Sequence, residues 1–120
     1  MVYAAGEAAV TGLERDLVAD CKRAADAMVV YVEWVSQRGG KHSGTSKGAP
    51  DCFVYVAGKV VPVEFKRAKH HDGTPAGRLS LDQNVAIERR LKQGVETHVV
   101  ESVQGFANVV NAARTGRAAG

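Results

Sequence analysis

Hydrophobic and polar positions change period several times along this chain. Leu13, Leu17, Cys21 and Ala24 recur at three- and four-residue intervals, the spacing of one helix face, behind a Thr11-Gly-Leu-Glu14 capping-box pattern. This predicts a helix to about Ala27. Met28 to Val35 is β-branched and aromatic and reads as a strand, and Ser36 to Gly48, rich in Gly, Ser and Lys, reads as an exposed loop. Cys52 to Ala57 and Val60 to Lys66 alternate with period two on either side of Gly58-Lys59, the pattern of a β-hairpin with a two-residue turn. After a second loop, Ser80-Leu-Asp-Gln83 is another capping-box pattern, opening a helix to Gln93 with Gly94 as its stop. Glu96 to Glu101 reads as a strand, Ser102 to about Ala113 as a last helix, and residues 114–120 as a frayed tail. The predicted order is αβββαβα, an α/β domain spanning residues 1–113.

The hairpin is unusual in carrying charge. If Gly58-Lys59 is the turn, Phe53 faces Glu64 and Asp51 faces Lys66. Strand alternation then puts Asp51, Glu64 and Lys66 on one face, with Cys52, Val54, Val56, Val61, Val63 and Phe65 on the other. The apolar face suits packing against a helix. The charged face is either a partly exposed ion cluster, which adds little stability, or a site: two carboxylates suit a hard cation such as Mg²⁺. Pro62 has no N–H to give a ladder, so its part of the strand is expected to be edge-like or bulged.

Composition narrows the classes. The length of 120 residues fits one domain, and 45% hydrophobic with 24% charged residues is ordinary globular composition. No apolar run approaches the roughly 18 residues a membrane span needs. The N-terminus lacks a basic region followed by an apolar core, so a cytoplasmic protein is expected. Cys21 and Cys52 each fall inside a predicted element, outside any metal-ligand spacing, and read as buried thiols. Between residues 38 and 78, Arg38, Lys41, Lys47, Lys59, Lys66, Arg67, Lys69 and Arg78 outnumber Asp51, Glu64 and Asp72, although the whole chain carries only +3. That concentration fits a polyanion surface as well as a solvated face. His70 and His71 lack a second ligand pair and read as part of a solvated loop rather than a zinc site. Tyr31 and Trp34 are assigned to the core.

Pro50-Asp51 followed after a gap by Glu64-Phe65-Lys66 resembles the PD-(D/E)xK nuclease signature, and its surroundings resemble the virus-type replication-repair nuclease (VRR-NUC) branch, in a free-standing phage-type form. Lys47-Gly48-Ala49-Pro50-Asp51 is similar to that family's Gly-x-Pro-Asp stretch, and Arg78-Leu79-Ser80-Leu81-Asp82-Gln83 to its Leu-Ser-x-x-Gln helix start. Glu14 resembles the family's acidic residue on the first helix. A lone Pro-Asp or Glu-x-Lys is a weak signal; these elements together, in order, are a strong one.

The resemblance implies a restriction-endonuclease-like core, a mixed sheet flanked by helices. It also implies that Asp51, Glu64 and the Phe65 carbonyl hold Mg²⁺ or Mn²⁺, joined by Glu14, and that Lys66 positions or activates the attacking water. Two readings stand for Glu14 and for Gln83: each either completes its capping box or serves the site. Arg38, Lys41, Lys47, Arg67, Lys69 and Arg78 are the expected DNA contacts. The expected function is a metal-dependent DNA endonuclease, a homodimer selective for branched or four-way DNA. The alternatives are a monomeric flap or single-strand nuclease and a non-catalytic DNA-binding module.

Overall fold

The computed structural model describes residues 14–35, 47–66 and 78–116. Its elements are α1 (Glu14–Met28), β1 (Tyr31–Trp34), β2 (Cys52–Val56), β3 (Lys59–Phe65), α2 (Leu81–Lys92), β4 (His98–Val100) and α3 (Val103–Thr115). They follow the predicted order αβββαβα. The strands form one mixed sheet in the order β1-β2-β3-β4, antiparallel except for the β3–β4 pair. α2 makes the crossover that a parallel pair requires.

Turn chemistry sets the hairpin register. The turn is Ala57-Gly58, not Gly58-Lys59: both residues have positive φ, 51° and 79°, as a type I′ turn demands. Val56 therefore faces Lys59, and Phe53 faces Pro62 rather than Glu64. The correction moves each partner by two positions, so every side chain keeps its predicted face. Nor does Pro62 create a bulge or an edge. The Phe65 N–H points toward β2 and the Lys66 N–H toward β4, where it donates to the Val100 carbonyl at 2.9 Å. By alternation, the donor Pro62 lacks would point to the β4 side, just short of His98 where β4 begins. The proline sits in a central strand where no ladder bond is lost.

The apolar face of the hairpin meets α1 and α3. Cys21 and Ala25 of α1, Cys52, Val54, Val63 and Phe65 of the hairpin, Val100, and Phe106, Val109 and Val110 of α3 form one buried cluster. Phe65 lies between Trp34 and Phe106, with ring centroids 5.8 and 6.1 Å away. Both cysteines are free and buried, and burial pushes the Cys21 thiol up to about 11 and the Cys52 thiol to about 12. They are neutral packing groups at physiological pH.

Several boundaries differ from the sequence expectation. Met28 belongs to α1, which ends through Val29 in the left-handed region at φ 57°. The Val29 N–H donates to the Asp26 carbonyl and the Val30 N–H to the Ala25 carbonyl, the paired bonds of a Schellman ending with valine where glycine is usual. Arg114 of α3 adds a bond from its guanidinium to the Met28 carbonyl at 2.8 Å. α3 itself begins after its N-cap Ser102 and continues through Arg114 and Thr115 to Gly116 at φ 79°, so the helix outlasts its predicted end. β4 is shorter than predicted because Glu96, Thr97 and Glu101 lie outside it.

Tyr31 is corrected from core to surface: it is 62% exposed and faces away from the buried cluster, its ring 5.3 Å from that of Tyr55. Trp34 caps the core at the sheet edge, stacked on Phe65 with the Lys22 ammonium 4.8 Å from its ring centre. Among the described residues no helix is long and apolar enough to cross a membrane.

Candidate active site

Asp51 is held by its backbone and its side chain together. Its N–H donates to the Val63 carbonyl and its carbonyl accepts from the Val35 N–H, both at 3.0 Å, anchoring it between β1 and β3. Its carboxylate Oδ2 accepts from the Phe65 N–H at 2.7 Å. The regular register ends at Cys52↔Val63, and Asp51, expected opposite Lys66, instead bonds through its N–H to Val63 and through its carboxylate to Phe65, the residues on either side of Glu64. These two bonds make Asp51 and Glu64 neighbours across the ends of β2 and β3. Lys66, two residues after Glu64, lies on the same side by alternation and is half-buried. Phe65, between them, sends its ring into the core while its N–H fixes Asp51.

Glu64 is only 2% exposed. A carboxylate removed from water is costly unless cationic or hydrogen-bonding groups compensate it. One cation that feels its charge is Arg90, near the end of α2. Burial lowers the pKa of the Arg90 guanidinium, and the negative charge of Glu64 acts in the opposite direction. Arg90 also donates to the Gly48 carbonyl at 2.7 Å and to the Thr97 hydroxyl at 2.6 Å. The sequence reading missed this residue. Its signal was helical spacing: Arg90 lies seven residues, two turns, after Gln83 and so shares its face.

Gln83 completes the capping box. Its side-chain oxygen accepts from the Ser80 N–H at 2.8 Å, and the Gln83 N–H donates to the Ser80 hydroxyl at 3.1 Å. The bond occupies the carboxamide oxygen and leaves its nitrogen uncommitted to the cap. Glu14 is the first residue of α1, but its side chain and Thr11 lie outside the described residues. So do Arg38, Lys41, Arg67, Lys69, His70 and His71. Lys47 and Arg78 are exposed. Lys47 borders a groove of about 630 Å³ that runs along α2 past Ala49, Pro50, Val85 and Arg89.

Among the described residues no three histidine, cysteine, aspartate or glutamate side chains gather into a metal cage. The candidate oxygen donors are Asp51 and Glu64. Two carboxylates fit Mg²⁺ or Mn²⁺, which take one or two protein oxygens and keep waters or phosphate oxygens for the remaining positions. They do not fit a thiolate or imidazole metal, and the neighbouring Cys52 thiol is held protonated by burial.

The same arrangement of elements occurs in a solved structure of a VRR_NUC domain, at TM-score 0.60 and 23% sequence identity, over 82% of this chain and 94% of that one. The chain is thus an α/β protein with a mixed four-stranded sheet. More particularly, its fold is that of a VRR_NUC domain. No family model and no curated protein matches the sequence.

Proposed function

We propose that the chain is a metal-dependent nuclease that hydrolyses phosphodiester bonds in DNA, with Asp51, Glu64 and Lys66 at its centre. The observation that carries this reading is the bond from the Phe65 N–H to the Asp51 carboxylate, which with the Asp51 N–H to Val63 carbonyl bond flanks a buried Glu64. The likeness to a VRR_NUC domain supports it.

Asp51 and Glu64 would hold Mg²⁺ or Mn²⁺, with Glu14 and the Phe65 carbonyl as further oxygen donors. When bound, the cation supplies Lewis acidity toward a phosphoryl oxygen and makes a water more acidic. The chain's own residues do the rest. The main-chain bond fixes Asp51 before substrate arrives, so little reorganisation remains for the reaction. Lys66 offers an ammonium on the carboxylate side to orient the attacking water or to neutralise charge building on the phosphate. Gln83, whose amide nitrogen is outside the cap, would donate to water or phosphate. Lys47 and Arg78, with Arg38, Lys41, Arg67 and Lys69, supply the sequence-independent phosphate contacts.

The substrate in this reading is branched or four-way DNA and the working unit a homodimer, because coordinated cutting of two strands needs two sites, most simply related by a two-fold axis. The test is digestion of linear, flapped and four-way DNA with and without Mg²⁺, combined with light scattering. Cleavage that needs Mg²⁺ or Mn²⁺ and favours the four-way substrate, from a particle of dimeric mass, is the expected result. EDTA-resistant cleavage would remove the metal mechanism. Binding without cleavage would make the chain a DNA-binding module, and a monomer cutting flaps would remove the dimeric junction enzyme alone.

A further inference from the structure

Helix α2 is positioned in a way its sequence does not advertise. None of its residues is buried, and Leu81, Val85 and Leu91 are 77%, 40% and 58% exposed. Apolar packing therefore does little to hold it on the sheet. Among the described residues, a close backbone approach and one guanidinium tie it to the rest. Gly48, at φ 82°, lies so close to the helix that a Cβ built there would be 2.3 Å from the Asp82 carbonyl oxygen and 2.9 Å from the Ala86 Cβ. Arg90 then reaches from the helix with two bonds, to the Gly48 carbonyl and the Thr97 hydroxyl.

The partners of those bonds stand on opposite sides of Glu64. Gly48 begins the segment that leads through Ala49 and Pro50 to Asp51 and β2, while Thr97 immediately precedes β4. β3, with Glu64, runs between β2 and β4. The segment from Gly48 to Asp51 is stiff, since Pro50 fixes its own φ and restricts Ala49 to extended conformations. A shift at Gly48 is therefore passed to Asp51 rather than absorbed. A planar guanidinium with donors in a fixed fork suits such a bridge, and a single ammonium does not.

We propose that Arg90 is a positioning residue: by joining the segments that lead into β2 and β4, it docks α2 and sets Asp51 against Glu64. The influence of Glu64 on Arg90 fits the same placement. The structural part of this assignment stands on geometry alone, and its consequence for catalysis rests on the nuclease reading above.

The experiment compares Arg90→Met, Arg90→Lys and Thr97→Val with the unaltered chain, by amide hydrogen exchange without substrate and by cleavage kinetics at saturating Mg²⁺. In Arg90→Met, exchange should rise tenfold or more in residues 84–92 and 48–51, while β2, β3 and the α1 and α3 amides keep their protection. Cleavage should lose about tenfold to a hundredfold in kcat with KM for DNA within about twofold. Thr97→Val, which removes one acceptor, should show a smaller change of the same kind, and Arg90→Lys should recover part of the loss. Unchanged exchange in α2, or an equal rise across the whole sheet, would overturn the docking role. A KM increase at constant kcat would overturn it too, making Arg90 a phosphate contact. If the unaltered chain cleaves nothing, the nuclease reading fails by itself, and the exchange comparison still decides whether Arg90 docks α2.

Discussion

On the α1–α3 side of the sheet, Cys52, Val54, Val63 and Phe65 have no exposed surface and Phe106 has 1%. On the α2 side, the helix contributes no buried residue and the sheet presents Tyr55 and Val60 at 37% and 49% exposure. The first side is held by interlocking apolar groups. The second buries Pro62 and Glu64 but is tied to its helix by a glycine contact and two guanidinium bonds, and it carries the carboxylates. Stability and chemistry are thus separated by the thickness of one sheet. A polar scaffold of this kind fixes a few atoms closely without demanding a continuous core, so the α2 side has room for charge.

Substitutions on the two sides should therefore fail in different ways. The largest effect is expected for Phe106→Ala, which empties the space beside Phe65: about 3–5 kcal/mol of folding free energy lost, measurable by urea denaturation. A loss below about 1 kcal/mol would show that the apolar face is not what holds the fold. Glu64→Gln comes next. It keeps shape and burial but removes the charge proposed to bind metal, so cleavage should fall by a factor on the order of 10² or more while the urea midpoint stays at or above that of the parent. Unfolding of this variant would mean that Glu64 is chiefly structural.

Gly48→Ala should do intermediate damage, since it combines a strained positive φ with a collision against the α2 backbone. A cost of about 1–3 kcal/mol is expected, accompanied by faster exchange in α2 and weaker cleavage, with α1 and α3 protection unaltered. Equal loss of protection on both sides would contradict their separation. The smallest effect has the opposite sign. Val29 is 86% exposed and occupies the left-handed region, so Val29→Gly should relieve strain and stabilise the chain by up to about 1 kcal/mol, read as a higher melting temperature with cleavage unchanged.

The hairpin shows how far the sequence could be read. Its alternation identified the buried and charged faces correctly, because any register shift of two positions leaves the faces the same. For the same reason the alternation could not distinguish an Ala57-Gly58 turn from a Gly58-Lys59 turn. Turn preference favoured placing a glycine first, whereas the fold accepts an alanine at φ 51°. The Tyr31 assignment failed differently. Strand β1 was recognised, but the side on which its odd positions emerge depends on its pairing with β2, and Tyr31 follows Tyr55 to the open face.

Periodicity, capping boxes and the Pro-Asp and Glu-x-Lys motifs are local, and they settled the element order, the core face of the hairpin and the identity of Asp51, Glu64 and Lys66 as candidates. How Asp51 is held beside Glu64, and what holds α2 in place, were decided by folding. The Arg90–Gly48 bond joins residues 42 positions apart, and its acceptor is a backbone carbonyl that every residue possesses. Such an acceptor leaves no mark in side-chain chemistry. It becomes a specific partner when the mixed sheet closes and brings the segments before β2 and β4 within reach of one guanidinium.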